Sequence, residues 1–384
     1  LRFSGSGKTL AFAVPIIIDI MNLKDNTTKS TNILRAVVLE PTRELAKQTY
    51  MQFLKFTEGL SITCALLDSD KLPKNANVVV STPNKLVYAL EKSAKKLSSN
   101  NLKWLVIDES DRLFDTTEGD EKCFRNQLSR IYQACSGNAV RRAFFSATFS
   151  YEVEDWCKKN LYDVALICIG ARNAAVDTVK QELIFAGSEH GKVIGLRSLF
   201  QSSFEPPVLV FVQSKSRARQ LVSEIELLQP PVPVALISSE KTETERETAI
   251  AKFRSGEIWV LVCTELMGRG LDLTGVNLVV NFDLPTSVIS YIHRIGRTGR
   301  AGRRGHAVTY FTEDDLKFVR PIANVIRQAG FEVPEYTLKM QMPTRKEKKK
   351  LMRHAPKRKN IGAVKKARRK KNRKKRPAAA HDTS

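Results

Sequence analysis

The sequence predicts an α/β protein of two open, parallel-sheet lobes joined by a short linker, with a basic C-terminal tail expected to be disordered. Three observations predict it. Short, wholly apolar runs alternate with helical patterns over residues 1–168 and again over 181–335, and such runs mark parallel strands covered on both faces. Small and polar residues at 170–178 separate the two series, placing the linker at 169–180. The length, 384 residues, is more than a single core commonly organises.

The first lobe opens on the turn Ser4-Gly5-Ser6-Gly7-Lys8-Thr9, followed by an apolar helix over 10–20. Glycine and serine crowd such a turn because backbone N–H groups must come close to a bound anion, and a helix starting near Lys8 adds its positive end. A turn of this kind lies between a strand and a helix. The chain starts at Leu1, only a few residues ahead of the turn, and the expectation is a fragment of a longer protein. Strands are expected at Ala36–Leu39, Val78–Ser81, 105–107 and 143–146. The second lobe repeats the series, with strands expected at Val208–Val212, Val234–Ile237, 260–263, Leu278–Asn281 and 306–311. Over 336–384 apolar periodicity disappears, which is the composition of a segment unable to bury a core.

Charge is unevenly placed. Residues 345–384 hold 19 lysines and arginines against Glu347 and Asp382, so 17 of the 23 net positive charges lie in the tail. A polyanionic partner follows from this, and the run at 365–376 also suits nuclear import. No apolar run is long enough to cross a bilayer, and no secretory signal opens the sequence. The cysteines at 64, 123, 135, 157, 168 and 263 form no CxxC pair and read as reduced thiols without a metal.

Three strings carry chemistry. Lys8 is placed to meet the β- and γ-phosphates of a nucleoside triphosphate, and Thr9 to ligate Mg²⁺ through its hydroxyl. Asp108-Glu109-Ser110-Asp111 closes the apolar run 104–107, which sets carboxylates at the carboxyl end of a strand, where α/β sheets bind ligands. Asp108 would hold Mg²⁺, and Glu109 would orient and deprotonate an attacking water. In His293-Arg294-Ile295-Gly296-Arg297-Thr298-Gly299-Arg300, Arg297 and Arg300 are spaced to neutralise charge developing on a γ-phosphate.

These strings occur in order with Pro41-Thr42-Arg43-Glu44-Leu45-Ala46, Thr82-Pro83, Ser146-Ala147-Thr148, Val210-Phe211-Val212-Gln213-Ser214 and Arg269-Gly270-Leu271-Asp272. From Ser4 to about Phe331 the chain resembles the DEAD-box RNA helicases of superfamily 2. That resemblance implies two RecA-like lobes with ATP and Mg²⁺ between them. The ATP site would comprise Ser4, Gly5, Ser6, Gly7, Lys8, Thr9, Asp108 and Asp272, the last on the ribose. Glu109, Arg297 and Arg300 would be catalytic, and Asp111, Ser146, Thr148 and His293 would couple nucleotide state to lobe closure. RNA would meet Pro41, Thr42, Arg43, Thr82 and Pro83 on the first lobe and Gln213, Ser214, Thr264 and Gly270 on the second. Such contacts reach phosphate and 2′-hydroxyl groups and carry little sequence information.

The Asp-Glu-Ser-Asp box, Val140-Arg141-Arg142-Ala143 and Ile169-Gly170-Ala171-Arg172-Asn173 narrow the resemblance to the Rok-type helicases of small-subunit ribosome assembly. Nucleolar work in 18S maturation is implied, on pre-ribosomal and small nucleolar RNA duplexes beside assembly factors, with no DNA and no membrane. The sequence departs from the family at Arg2, at Asn84-Lys85 and at Ser238-Ser239; it shows no Gly-Gly over 63–77, and the adenine-reading segment that precedes the phosphate turn in the family is not in it. Two other readings use the same residues: a helicase of mRNA or another ribonucleoprotein, and an RNA clamp without turnover.

Overall fold

Every strand pairing is parallel in the computed structural model, which describes residues 7–25, 33–92, 101–111, 124–135, 137, 139–146, 148, 151–168, 178–202, 204–238, 240–264, 273, 275–299, 303–344, 347 and 356–361. The first lobe runs α1 (Lys8–Asp25), β1 (Ala36–Leu39), α2 (Arg43–Phe56), β2 (Cys64–Leu66), β3 (Val78–Ser81), α3 (Pro83–Lys92), β4 (Trp104–Ile107), α4 (Phe124–Ala134), β5 (Arg141–Phe144) and α5 (Tyr151–Asn160). Its sheet has the order β2-β3-β1-β4-β5. The side-chain period of two sends Val37, Leu39, Val79 and Leu105 to a core under α3 and α4, and Ala36, Val38, Val80 and Val106 to a second core under α1 and α2. This two-sided burial is why the strands read as unbroken apolar runs.

The second lobe runs β6 (Val179–Gly187), α6 (Glu189–Ser202), β7 (Val208–Val212), α7 (Lys215–Ile225), β8 (Val234–Ile237), α8 (Glu243–Ser255), β9 (Val260–Thr264), β10 (Leu278–Asn281), α9 (Val288–Ile295), β11 (Gly305–Thr312), a 3₁₀ turn (Glu313–Asp315), α10 (Leu316–Gln328) and α11 (Glu335–Lys339). Its sheet order is β6-β11-β10-β7-β9-β8. Leu209, Phe211, Leu261 and Val279 pack under α9 and α10, and Val208, Val210, Val262 and Val280 under α6 and α7.

Chain order reverses at β1/β4 in the first sheet and at β7/β10 in the second, which opens a crevice at the carboxyl ends of those strands. The expected strands all form, although β5 starts at Arg141 and ends at Phe144. Two strands are additional. β2 is a three-residue edge strand, and β6 begins at Val179, inside the stretch read as linker. The tail is the main correction. Leu338 and Met340 pack against the core under α10, and Ile361 is 95% buried in the core under α6 and α7, so parts of the segment read as disordered are built into the second lobe.

Candidate active site

Of the expected phosphate and metal residues, Gly7, Lys8, Thr9 and Asp108 are described, all in the first lobe. Gly7 has φ +82°, in the left-handed region where a Cβ is costly, and α1 starts one residue later, so the helix N-terminus faces the turn. Lys8 projects from the first turn of α1 and places Nζ 3.4 Å from Glu109 Oε1. Thr9 is partly buried beside it. A cavity opens at Gly7 and Lys8 and extends between α1, β5 and residues 161–167.

Asp108 and Glu109 follow β4. Glu109 adopts φ +47°, a backbone strain characteristic of functional turns, and its N–H donates to Asp108 Oδ1 at 2.8 Å. Burial raises the Asp108 pKa to about 6; the Glu109 and Asp111 charges add to this and Lys8 opposes it. Burial would raise Glu109 too, but the positive charges of Lys8, His293 and Arg297 hold its carboxyl well below the usual range. Lys8 in turn is raised, because Glu109, Asp108 and Asp111 outweigh its own burial. A buried carboxylate whose ionisation is opposed by burial and by two acidic neighbours gains from a divalent cation, and carboxylate with hydroxyl oxygens is the donor set that Mg²⁺ takes. The Asp108 carboxylate therefore fits that ion.

Asp111 joins the lobes. Ser146 Oγ donates to its Oδ1 at 2.7 Å and Thr148 Oγ1 to its Oδ2 at 3.0 Å. His293 of α9 reaches across from the second lobe: its Nε2 lies 3.2 Å from Asp111 Oδ2, 3.4 Å from Thr148 Oγ1 and 3.9 Å from Glu109 Oε2. The hydroxyls hold Asp111 in one rotamer, so the imidazole meets a fixed acceptor. Arg297, 7% exposed just past α9, donates from Nε to the His293 carbonyl at 3.3 Å and acts electrostatically on Glu109. The four coupling residues, Glu109, Lys8 and Arg297 are thus brought together. Ser4, Gly5, Ser6, Gly270, Asp272 and Arg300 lie outside the described residues.

Glu40 belongs to this crevice and was not among the residues expected there. It follows β1 as Asp108 follows β4, is 1% exposed, and accepts from Thr49 Oγ1 at 2.6 Å. Burial first, then the Asp108 charge, push its carboxyl well above the usual range. The signal for it was available, since Glu40 closes the apolar run 36–39 in the same way that Asp108 closes 104–107.

The residues expected on RNA sit where helices begin after strands. Thr42 caps α2, its Oγ1 accepting from Leu45 N–H at 3.2 Å, and partly buried Pro41 precedes it. Arg43 pairs with Asp68 at 3.1 Å and with Glu243 of the second lobe at 2.5 Å. Thr82 and buried Pro83 open α3. On the second lobe, Ser214 caps α7 by accepting from Arg217 N–H at 3.3 Å, and Thr264 ends β9. Gln213 N–H donates to Asp283 Oδ2 at 2.8 Å, while its side chain is held by residues 356 and 358.

The DEAD/DEAH box helicase domain matches residues 3–156, and the helicase conserved C-terminal domain matches 191–302. The chain is 47% identical over 367 residues to the probable ATP-dependent RNA helicase DDX52 of Mus musculus, covering 93% of this chain and 60% of that protein. It is 37% identical over 361 residues to the ATP-dependent RNA helicase ROK1 of Vanderwaltozyma polyspora, covering 90% and 61%. The chain thus spans about 60% of the length of these curated relatives. Among solved structures, a point variant of Saccharomyces cerevisiae Dbp5 bound to RNA and ADP–BeF3 superposes with a TM-score of 0.70 at 25% identity, covering 97% of this chain and 87% of that one.

Proposed function

Because the chain belongs to the DEAD-box helicases, we propose that it hydrolyses ATP in the cleft between its lobes and uses closure of the cleft to remodel short RNA duplexes. The observation that carries this reading is His293 of the second lobe set against Asp111, Thr148 and Glu109 of the first. A contact of that kind exists only when the cleft is shut, and it touches the residue that would activate water.

The steps follow from the residues. Lys8 and the α1 N-terminus bind the phosphates; Thr9 and Asp108 would hold Mg²⁺, which would supply Lewis-acid stabilisation when bound. Lys8 now pairs with Glu109; drawn onto phosphate, it releases a carboxylate whose basicity then rises. Glu109 orients water and takes its proton, and Arg297 brings positive charge to the γ-phosphate side. Product release removes the charge that holds the lobes together, and the cleft opens. RNA lies along the helix starts at Thr42, Thr82 and Ser214.

Glu109→Gln tests this. The variant is expected to bind ATP and RNA as the parent does and to lose about 10²–10⁴-fold in kcat for RNA-stimulated hydrolysis. An unchanged kcat removes Glu109 from the base role, and RNA retention by a parent chain without turnover favours the clamp reading. The finer proposal is pre-ribosomal RNA in nucleolar small-subunit assembly. Its support is the Asp-Glu-Ser-Asp box and the identity to DDX52 and ROK1. Crosslinking of the tagged protein to cellular RNA tests it: enrichment of mRNA over pre-ribosomal RNA overturns it.

A further inference from the structure

The second lobe has its own crevice, at the carboxyl ends of β7 and β10, and the chain fills it with itself. Arg358 enters with its side chain 3% exposed. Its Nη1 lies 2.7 Å from Asp315 Oδ1, its Nη2 donates to the Leu284 carbonyl at 3.2 Å, and its Nε donates to Gln213 Oε1 at 2.6 Å. Gln213 Nε2 donates to the Pro356 carbonyl at 2.6 Å, and Arg217 Nη1 donates to the Lys359 carbonyl at 2.5 Å. Ile361 N–H donates to Gln220 Oε1 at 2.9 Å, with its side chain in the core.

The buried charges explain why this segment stays. Glu189, Asp283 and Asp315 face Lys192 and Arg217: Arg217 Nη2 pairs with Glu189 at 2.5 Å and with Asp283 at 2.6 Å, and Lys192 reaches Asp283 at 3.4 Å. Among the described residues Asp315 has Lys192 at 3.8 Å and Arg358 at 2.7 Å, so Arg358 gives this buried acid its close cation. Uncompensated buried charge is strongly disfavoured, so the segment is a fixed part of the lobe and not a displaceable plug.

Arg358 and Ile361 point inward, and Lys357 and Lys359 are exposed. They are chain neighbours of Arg358, which holds the Gln213 side chain, while the Ser214 side chain caps α7. We propose that residues 356–361 are a permanent strap that extends the RNA-phosphate surface of the second lobe, with Lys357 and Lys359 making the contacts at this spot. The inference rests on the RNA-helicase reading given above.

The test is the affinity of the full chain for single-stranded RNA, with a non-hydrolysable ATP analogue, between about 50 and 300 mM salt. Lys357→Ala with Lys359→Ala removes two exposed charges without touching the core. The salt slope is expected to fall by about 1.4, at roughly 0.7 per phosphate contact on single strands, with several-fold weaker binding. The paired Lys→Arg variant should keep both. Arg358→Gln should lose the same slope although every lysine remains, and trypsin should then cut at 357–359 faster. An unaltered slope in the double alanine variant overturns the strap surface. Tighter RNA binding in either variant also overturns it, because the segment would then compete with RNA. RNA-stimulated hydrolysis with an unaltered slope sinks this inference alone; absence of RNA-stimulated hydrolysis in the parent sinks the reading beneath it.

Discussion

Glu40 illustrates how one buried carboxyl is governed by its surroundings. Its Oε1 accepts from Thr49, its Oε2 has no hydrogen-bond partner among the described residues, and burial with the nearby Asp108 charge favours the neutral acid. Glutamine matches that neutral shape, so Glu40→Gln should change stability by less than about 1 kcal/mol. Glu40→Ala leaves the Thr49 hydroxyl buried without its acceptor and opens a void, at about 2–4 kcal/mol. The sign with pH is defined. A raised acid keeps its proton in the folded protein while the unfolded chain releases one, so parent stability declines as pH rises past the ordinary glutamate value of 4.5. Urea unfolding across that range should show a smaller decline for Glu40→Gln. If glutamine is as damaging as alanine, Glu40 is ionised in the folded protein. The rule that finds Asp108 and Glu109 in the sequence, a carboxylate closing an apolar strand, finds Glu40 as well. What the sequence hides is the depth: the burying partner, Thr49, comes from the next helix, and no spacing announces the contact.

Elements were legible in proportion to their burial. Central strands such as β1, β3, β7 and β10 carry apolar side chains on both faces and stand out. Among the described residues β6 pairs only with β11, and it mixes Lys180 and Glu182 with Val179 and Leu183, so its start merged with the linker. The strap was illegible for a different reason: it has one core residue, Ile361, and its partner Gln213 is more than 140 residues away. Asp283, at the end of β10, ties these elements to α7 and α6. Burial would raise its carboxyl, but the Arg217 hydrogen bonds, with Arg358 and Lys192, hold it well below the usual range. A depressed acid stabilises above its unfolded value, 3.8, and that stability is lost as pH falls through the folded one. Asp283→Asn should therefore cost about 3–5 kcal/mol at neutral pH, by leaving buried cations unpaired. Its stability should also fall less steeply than the parent's below about pH 4. Denaturant unfolding on both sides of that pH reads the two effects; an equally steep acid limb in the variant assigns acid loss to other groups.

Across the whole molecule, two kinds of contact close the cleft, and they respond differently to salt. The buried kind is His293 on Asp111 and Thr148. The more exposed kind joins α2 to α8: Arg43 to Glu243 at 2.5 Å and Lys47 to Glu247 at 2.7 Å, beside a half-buried pair, Arg246 to Glu44, at 2.9 Å. These pairs join residues about 200 positions apart, which is why the strings that identify the site say nothing of them. Exposed pairs contribute about 0.2–1 kcal/mol each, so together they shift the closed-to-open ratio by up to roughly a hundredfold and in practice by less. Arg43 belongs both to this latch and to the residues expected on RNA, and a phosphate arriving there would take it from Glu243. With one fluorophore in each lobe, energy transfer should fall as added salt screens α2 from α8. Glu247→Lys should lower it at fixed salt by setting like charges together, and the exchange Lys47→Glu with Glu247→Lys should restore it, because only the direction of the pair changes. Restoration separates a pairwise effect from a change in net charge, which the single variant alone would confound. Transfer that ignores both salt and charge reversal would leave closure to the buried imidazole contact, and then His293→Ala alone should open the cleft.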